Sequence, residues 1–198
     1  MHRNDTTCIS VPAWSCAAAL LFFVSLNVTA AIHHDNSLIE SGALNNITGA
    51  VGINMAAGDN NIQANAKSIA VGKSAQAITS NQMQTSAYHN QTLSSVSIEA
   101  NTLHNAKGLI SINQVAGSGN VQLNDIAIAF GENATVMSDA LLMTSSPINN
   151  NPVDEPNLAN NKVHLDKNSM SNASGIIQVN QIAGHGNTAM NRVSMPIQ

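Results

Sequence analysis

The feature that most constrains this chain is a 34-residue unit written three times without a gap. Copy one, residues 39–72, reads IESGALNNITGAVGINMAAGDNNIQANAKSIAVG, and copy two, residues 98–131, reads IEANTLHNAKGLISINQVAGSGNVQLNDIAIAFG; the two match at 15 of 34 positions. Copy three, residues 165–198, reads LDKNSMSNASGIIQVNQIAGHGNTAMNRVSMPIQ and is the most divergent. A unit this short cannot bury enough apolar surface to offset its own chain entropy, so the copies must cover one another or pair with another molecule.

Seven positions are identical in all three copies, and every one is Asn, Gly or Ala. They are Asn46/Asn105/Asn172, Gly49/Gly108/Gly175, Asn54/Asn113/Asn180, Ala57/Ala116/Ala183, Gly58/Gly117/Gly184, Asn61/Asn120/Asn187 and Asn65/Asn124/Asn191. Apolar residues alternate between them, as in Val51/Ile53, Ile110/Ile112 and Ile177/Val179, and again in Ile69/Val71, Ile128/Phe130 and Met195/Ile197. Period two predicts strands. The Ala-Gly-x-Gly/Asn-Asn segment beginning at Ala57, Ala116 and Ala183 tolerates positive φ and predicts a tight turn between them. A further short strand is expected near Leu44, Leu103 or Met170.

If the copies lie one above another at about 4.8 Å, backbone groups pair between layers and identical side chains fall into columns. Asn suits such a column because its amide both donates and accepts. Unpaired, each buried amide would cost roughly 1–3 kcal/mol. The four Asn columns are therefore the expected ladders of a fibril core, and the Gly and Ala columns the positions of turning and close packing. Glu40, Glu99 and Asp166 also coincide, which predicts a solvated acidic column at the layer edge. The fold class expected is all-β: three stacked imperfect repeats in a β-solenoid-like, cross-β stack with disordered linkers.

Outside the copies, residues 73–97 are Gln/Ser/Thr-rich, and 132–164 carry Pro147, Pro152 and Pro156, which cannot donate to a sheet. Both are expected to be mobile loops outside the stack. Residues 1–31, with Arg3, the apolar run 17–26 and small residues at 28–30, read as a secretory signal peptide cleaved after Ala30 or Ala31. Both cysteines, Cys8 and Cys16, lie in it. No other segment is apolar and long enough to span a bilayer, so the mature chain is expected outside the inner membrane without stable membrane insertion.

Charged residues make up only 9% of the chain and the net charge is −4, with no basic stripe for nucleic acid. Asp154-Glu155 lies in the Pro-rich segment, and no paired carboxylates, nucleophile elbow or phosphate loop stands in its required context, so no catalytic residue is expected. The seven histidines are dispersed, which argues against a metal site, and no cofactor is expected. His185 shares a variable turn position with Asp59 and Ser118 and reads as a solvated turn residue. Sequons such as Asn90-Gln91-Thr92 and Asn133-Ala134-Thr135 arise by chance in this composition.

At residues 49–66, 108–125 and 175–192 the N-x-x-A-G-x-x-N-x-x-x-N spacing resembles the subunits of the Fap-type functional amyloids of Pseudomonas and related bacteria. The resemblance implies export, passage through a dedicated outer-membrane pore, and polymerisation with itself and related subunits into cell-surface fibres that support biofilm and adhesion. Such subunits commonly carry a Cys-x-Cys pair near the C-terminus, whereas residues 32–198 contain no cysteine, so major-subunit and nucleator or minor-component roles both stay open. The alternative reading is a monomeric β-solenoid serving as a surface adhesin or carbohydrate-binding module.

Overall fold

The computed structural model describes residues 33–86, 92–145 and 161–198. The expected signal segment 1–31 lies outside the described residues, as do Tyr88 and the three prolines of 146–160. Each copy lies in one layer of a stack. Layer one comprises β1 (His33–Ile39), β2 (Thr48–Ala57), β3 (Ile62–Val71) and β4 (Gln76–Ser86). Layer two comprises β5 (Thr92–Ile98), β6 (Lys107–Ala116), β7 (Val121–Phe130) and β8 (Thr135–Ser145). Layer three comprises β9 (Lys162–Leu165), β10 (Ser174–Ala183) and β11 (Thr188–Ile197).

All pairing is parallel and runs between layers. The sheets are β1-β5-β9, β10-β6-β2, β11-β7-β3 and β4-β8, so layer two is in the middle of each three-stranded sheet and pairs with layer one alone in the fourth. Register follows the repeat: Ile39 aligns with Ile98 and Ile98 with Leu165, and each of the seven columns lies level where a strand carries it. Within a layer, successive strands face one another through side chains rather than backbone, which leaves three gaps to fill in layers one and two and two gaps among the described strands of layer three.

The sequence fills these gaps with different chemistry. The gap bounded by the first and second strands is apolar: Ile39, Ile98, Leu103, Ile110 and Ile112 are buried, with Val51, Ile53, Ile177 and Val179 packed against them. The gap between the third and fourth strands holds small residues, Ala75, Ala77, Ala127, Ala129 and Ala134, and beside them Met83, Val121 and Leu123. The gap between the second and third strands is lined by amides.

Two expectations are corrected. Residues 76–86, 92–98, 135–145 and 162–165 are strands, not loops outside the stack. In the first and third of these, small and polar side chains alternate inward with a few larger ones: Ala77, Thr79 and Met83 are buried in β4, while Ile78 is 48% exposed, and Val136, Ala140 and Leu142 of β8 pack into the same gap. A narrow gap selects the small and polar ones, and they resemble a loop in composition. The short strand expected near Leu44, Leu103 and Met170 is instead a run of turns over 41–46, 100–105 and 167–172. Left-handed residues Asn46, Asn105 and Asn172 close these turns, and fully buried Leu103 is a single plug rather than one of an alternating set.

Candidate functional site

The amide-lined gap is built by alternation. Val51, Ile53 and Met55 turn toward the apolar gap, so Asn54 faces the third strand, where Asn65 meets it: Asn65 Nδ2 donates to Asn54 Oδ1 at 2.9 Å. The same in-layer bond joins Asn124 to Asn113 (2.9 Å) and Asn191 to Asn180 (2.9 Å).

Between layers the amides form ladders. Asn113 Nδ2 donates to Asn54 Oδ1 and Asn180 Nδ2 to Asn113 Oδ1, each at 3.0 Å. Asn124 donates to Asn65, and Asn191 to Asn124, also at 3.0 Å. At the tight turn Asn120 donates to Asn61 (3.0 Å) and Asn187 to Asn120 (3.1 Å). In every Asn rung the higher copy donates and the lower accepts, whereas the glutamine pair Gln63–Gln122 runs the other way. The fourth Asn column is different: Asn105 donates to Asn46 (3.0 Å), but all three members adopt φ of 56–59°, so the turn itself calls for Asn. Asn46 and Asn172 are exposed.

Burial is concentrated in copy two. Asn113 and Asn124 are fully enclosed, whereas Asn54, in the outer layer, is exposed. The glycine columns are fixed twice over. Gly58, Gly117 and Gly184 have φ of 99°, 120° and 129°, and a Cβ on Gly117 would run into the carbonyl oxygen of Gly184. Gly108 meets Gly49 in the same way, and Gly175 meets Gly108. Ala57, Ala116 and Ala183 are aligned at the strand ends, where Gly117 N donates to Ala57 O and Gly184 N to Ala116 O, both at 2.9 Å.

Five polar side chains of the interior were not identified from the repeat: Gln63, Gln122, Gln114, Asp125 and Lys67. Gln63 Nε2 donates to Gln122 Oε1 (2.6 Å), and fully buried Gln114 donates to Ser37 O and Ser97 O, each at 2.9 Å. Asp125 is also fully buried. Lys67 points into the same gap as Asn65, close to Gly52, and partial burial lowers its pKa. In the acidic column Glu40 is exposed, and Glu99 and Asp166 are half-buried. His185 is half-buried, and its Nδ1 accepts from Ser118 N at 3.0 Å, so layer two holds it by a backbone bond. Among the described residues no group of three His, Cys, Asp or Glu could hold a metal, and no helix is long and apolar enough to cross a membrane.

The two outer layers differ from an ordinary sheet face in that they present strand edges, with N–H and C=O groups pointing along the stack. The profile of the family described as "Functional amyloid protein FapB/FapC family" matches residues 24–198. A relative, "Functional amyloid subunit FapC" of Pseudomonas aeruginosa, is 37% identical over 103 residues, covering 48% of this chain and 30% of that protein. The chain thus matches less than a third of that relative's length. No solved structure matches.

Proposed function

Because the chain belongs to the functional amyloid protein FapB/FapC family, a family of structural subunits rather than enzymes, we propose that it is secreted and polymerises into extracellular fibres that support biofilm and surface adhesion. The observation that carries this reading is the one-way polarity of the asparagine ladders at Asn54/Asn113/Asn180 and Asn65/Asn124/Asn191. Copy three turns the Oδ1 atoms of Asn180 and Asn191 to its outer side, while copy one offers the amides of Asn54 and Asn65. An incoming copy one that keeps the same donor direction gives its two amides to those two oxygens. The contact is head-to-tail and does not close on itself, so it propagates as a filament.

The fibril-core role of the Asn columns, and the close-packing role of the Gly and Ala columns, follow from the same contact. In a fibre every layer is enclosed as copy two is in the single subunit. Partners in this reading are further copies of the chain, related fibre subunits and an outer-membrane export pore; no ligand or cofactor is needed. The test uses residues 32–198, followed by thioflavin fluorescence and fibre diffraction. Reflections near 4.7–4.8 Å and about 10 Å are expected. A persistent monomer without them would refute polymerisation and favour the monomeric adhesin.

A further inference from the structure

The most informative column is one that differs in every copy. Ala66, Asp125 and Arg192 are level in the stack and face the third gap. Asp125 is fully buried. Its Oδ2 accepts from Thr79 Oγ1 at 3.0 Å and from Ser138 Oγ, and Arg192 Nε lies 3.6 Å away. Thr79 belongs to layer one, Ser138 to layer two and Arg192 to layer three, so one carboxylate oxygen gathers all three layers. Oδ1 makes no hydrogen bond among the described residues, and the Arg192 side chain is 34% exposed. Among the described residues, Asp125 therefore draws its ion-pair partner from copy three.

We propose that Asp125 and Arg192 determine the order in which the copies stack, admitting copy three beside copy two and rejecting a second copy two. Two copies of layer two stacked together would put carboxylates about 4.8 Å apart in a dry interior, each without a cation. Two copies of layer three would oppose guanidinium groups in the same way. Ala66 is neutral to either neighbour, which lets copy one follow copy three. Buried charge used in this way specifies arrangement rather than adding stability, and removing one partner leaves the other stranded. The seven invariant columns cannot supply this information, because they are the same in each copy. The rule holds for the folded chain whether or not it goes on to form fibres.

The test exploits the lack of cysteine in residues 32–198. Lys107 and Ser174 are exposed and aligned on β6 and β10, so cysteines there fall within disulfide reach. A Lys107→Cys, Ser174→Cys chain reports copy two against copy three by an intrachain disulfide, and Lys107→Cys alone reports, by disulfide-linked dimers, copy two pairing with copy two of another chain during refolding, before copies one and three cover it. With Asp125 and Arg192 present, refolding and oxidation should give the intrachain bond and few dimers. Arg192→Ala should lower the intrachain yield about tenfold or more, since it strands Asp125. Adding Asp125→Ala should restore that yield and raise dimer formation by the single-cysteine chain by about tenfold. If Arg192 only packs, the double variant stays as impaired as Arg192→Ala. That result, or equal dimer yields with and without Asp125, would overturn the proposal. These readouts come from refolded chains and stand apart from fibre growth.

Discussion

Replacing Asn113 by Leu is the sharpest test of the amide interior. Asn113 Nδ2 lies 3.0 Å from Asn54 Oδ1, 2.8 Å from Ala64 O and 3.1 Å from Asn65 Oδ1, and its Oδ1 accepts from Asn124 and Asn180. Two protons and two lone pairs are thus in use at a fully buried site. Four bonds at a net of about 1 kcal/mol each, plus about 1–3 kcal/mol for leaving the Ala64 carbonyl short of a donor, set the loss. Burial of the leucine returns about 1.5–3 kcal/mol. The net destabilisation expected is about 2–5 kcal/mol, read by denaturant unfolding of the monomer. Asn54→Leu, at an exposed outer layer, should cost no more than about 1 kcal/mol in the same assay. In fibre growth the difference should disappear: each layer is then covered, and both variants should slow elongation. A monomer in which Asn113→Leu is no worse than Asn54→Leu would show that the ladders do not stabilise the stack.

Other consequences follow from single residues. Gly117→Ala should destabilise the monomer by about 2 kcal/mol or more, because it combines a φ of 120° with a clash against Gly184 O; a change below about 0.5 kcal/mol in a denaturant titration would contradict it. Lys67 has a pKa lowered from 10.5 by desolvation, so between its folded pKa and 10.5 the unfolded chain binds more protons and stability should rise with pH. That rise should vanish in Lys67→Ile, which matches Ile126 of copy two, and the variant should nucleate fibres with a shorter lag. Asn105→Ala should weaken the turn by about 1 kcal/mol through its left-handed φ of 56°, measured by thermal unfolding, whereas Asn105→Gly should be tolerated.

How much of this was legible in the sequence depends on whether a residue repeats. The gapless alignment of copies one, two and three is the physical register of the strands, since identical residues are brought level when parallel strands stack. Asn54, Asn61 and Asn65 and their counterparts could be read for that reason. The Gln63–Gln122 rung was hidden because copy three has Ala189 at that position, and Asp125 was hidden because its column is different in all three copies. Strands β4 and β8 lie outside the repeat, and their narrow gap selects Ala, Ser and Thr, which look like loop residues. The turn at 41–46 was misread because one buried leucine carries no period.

The rungs join residues 59 or 67 positions apart along the chain. Contacts this far apart in sequence are the kind whose loop-closure entropy slows the folding of β proteins. A solitary chain must close one loop of 59 residues and another of 67 to complete its three layers, so its search for the folded state is slow. An edge that is already ordered removes the first closure, and each strand can then settle on its template in turn. In the proposed route of export and assembly, slowness alone and speed at an existing edge would keep the polypeptide pliant in transit and direct its folding to a growing end.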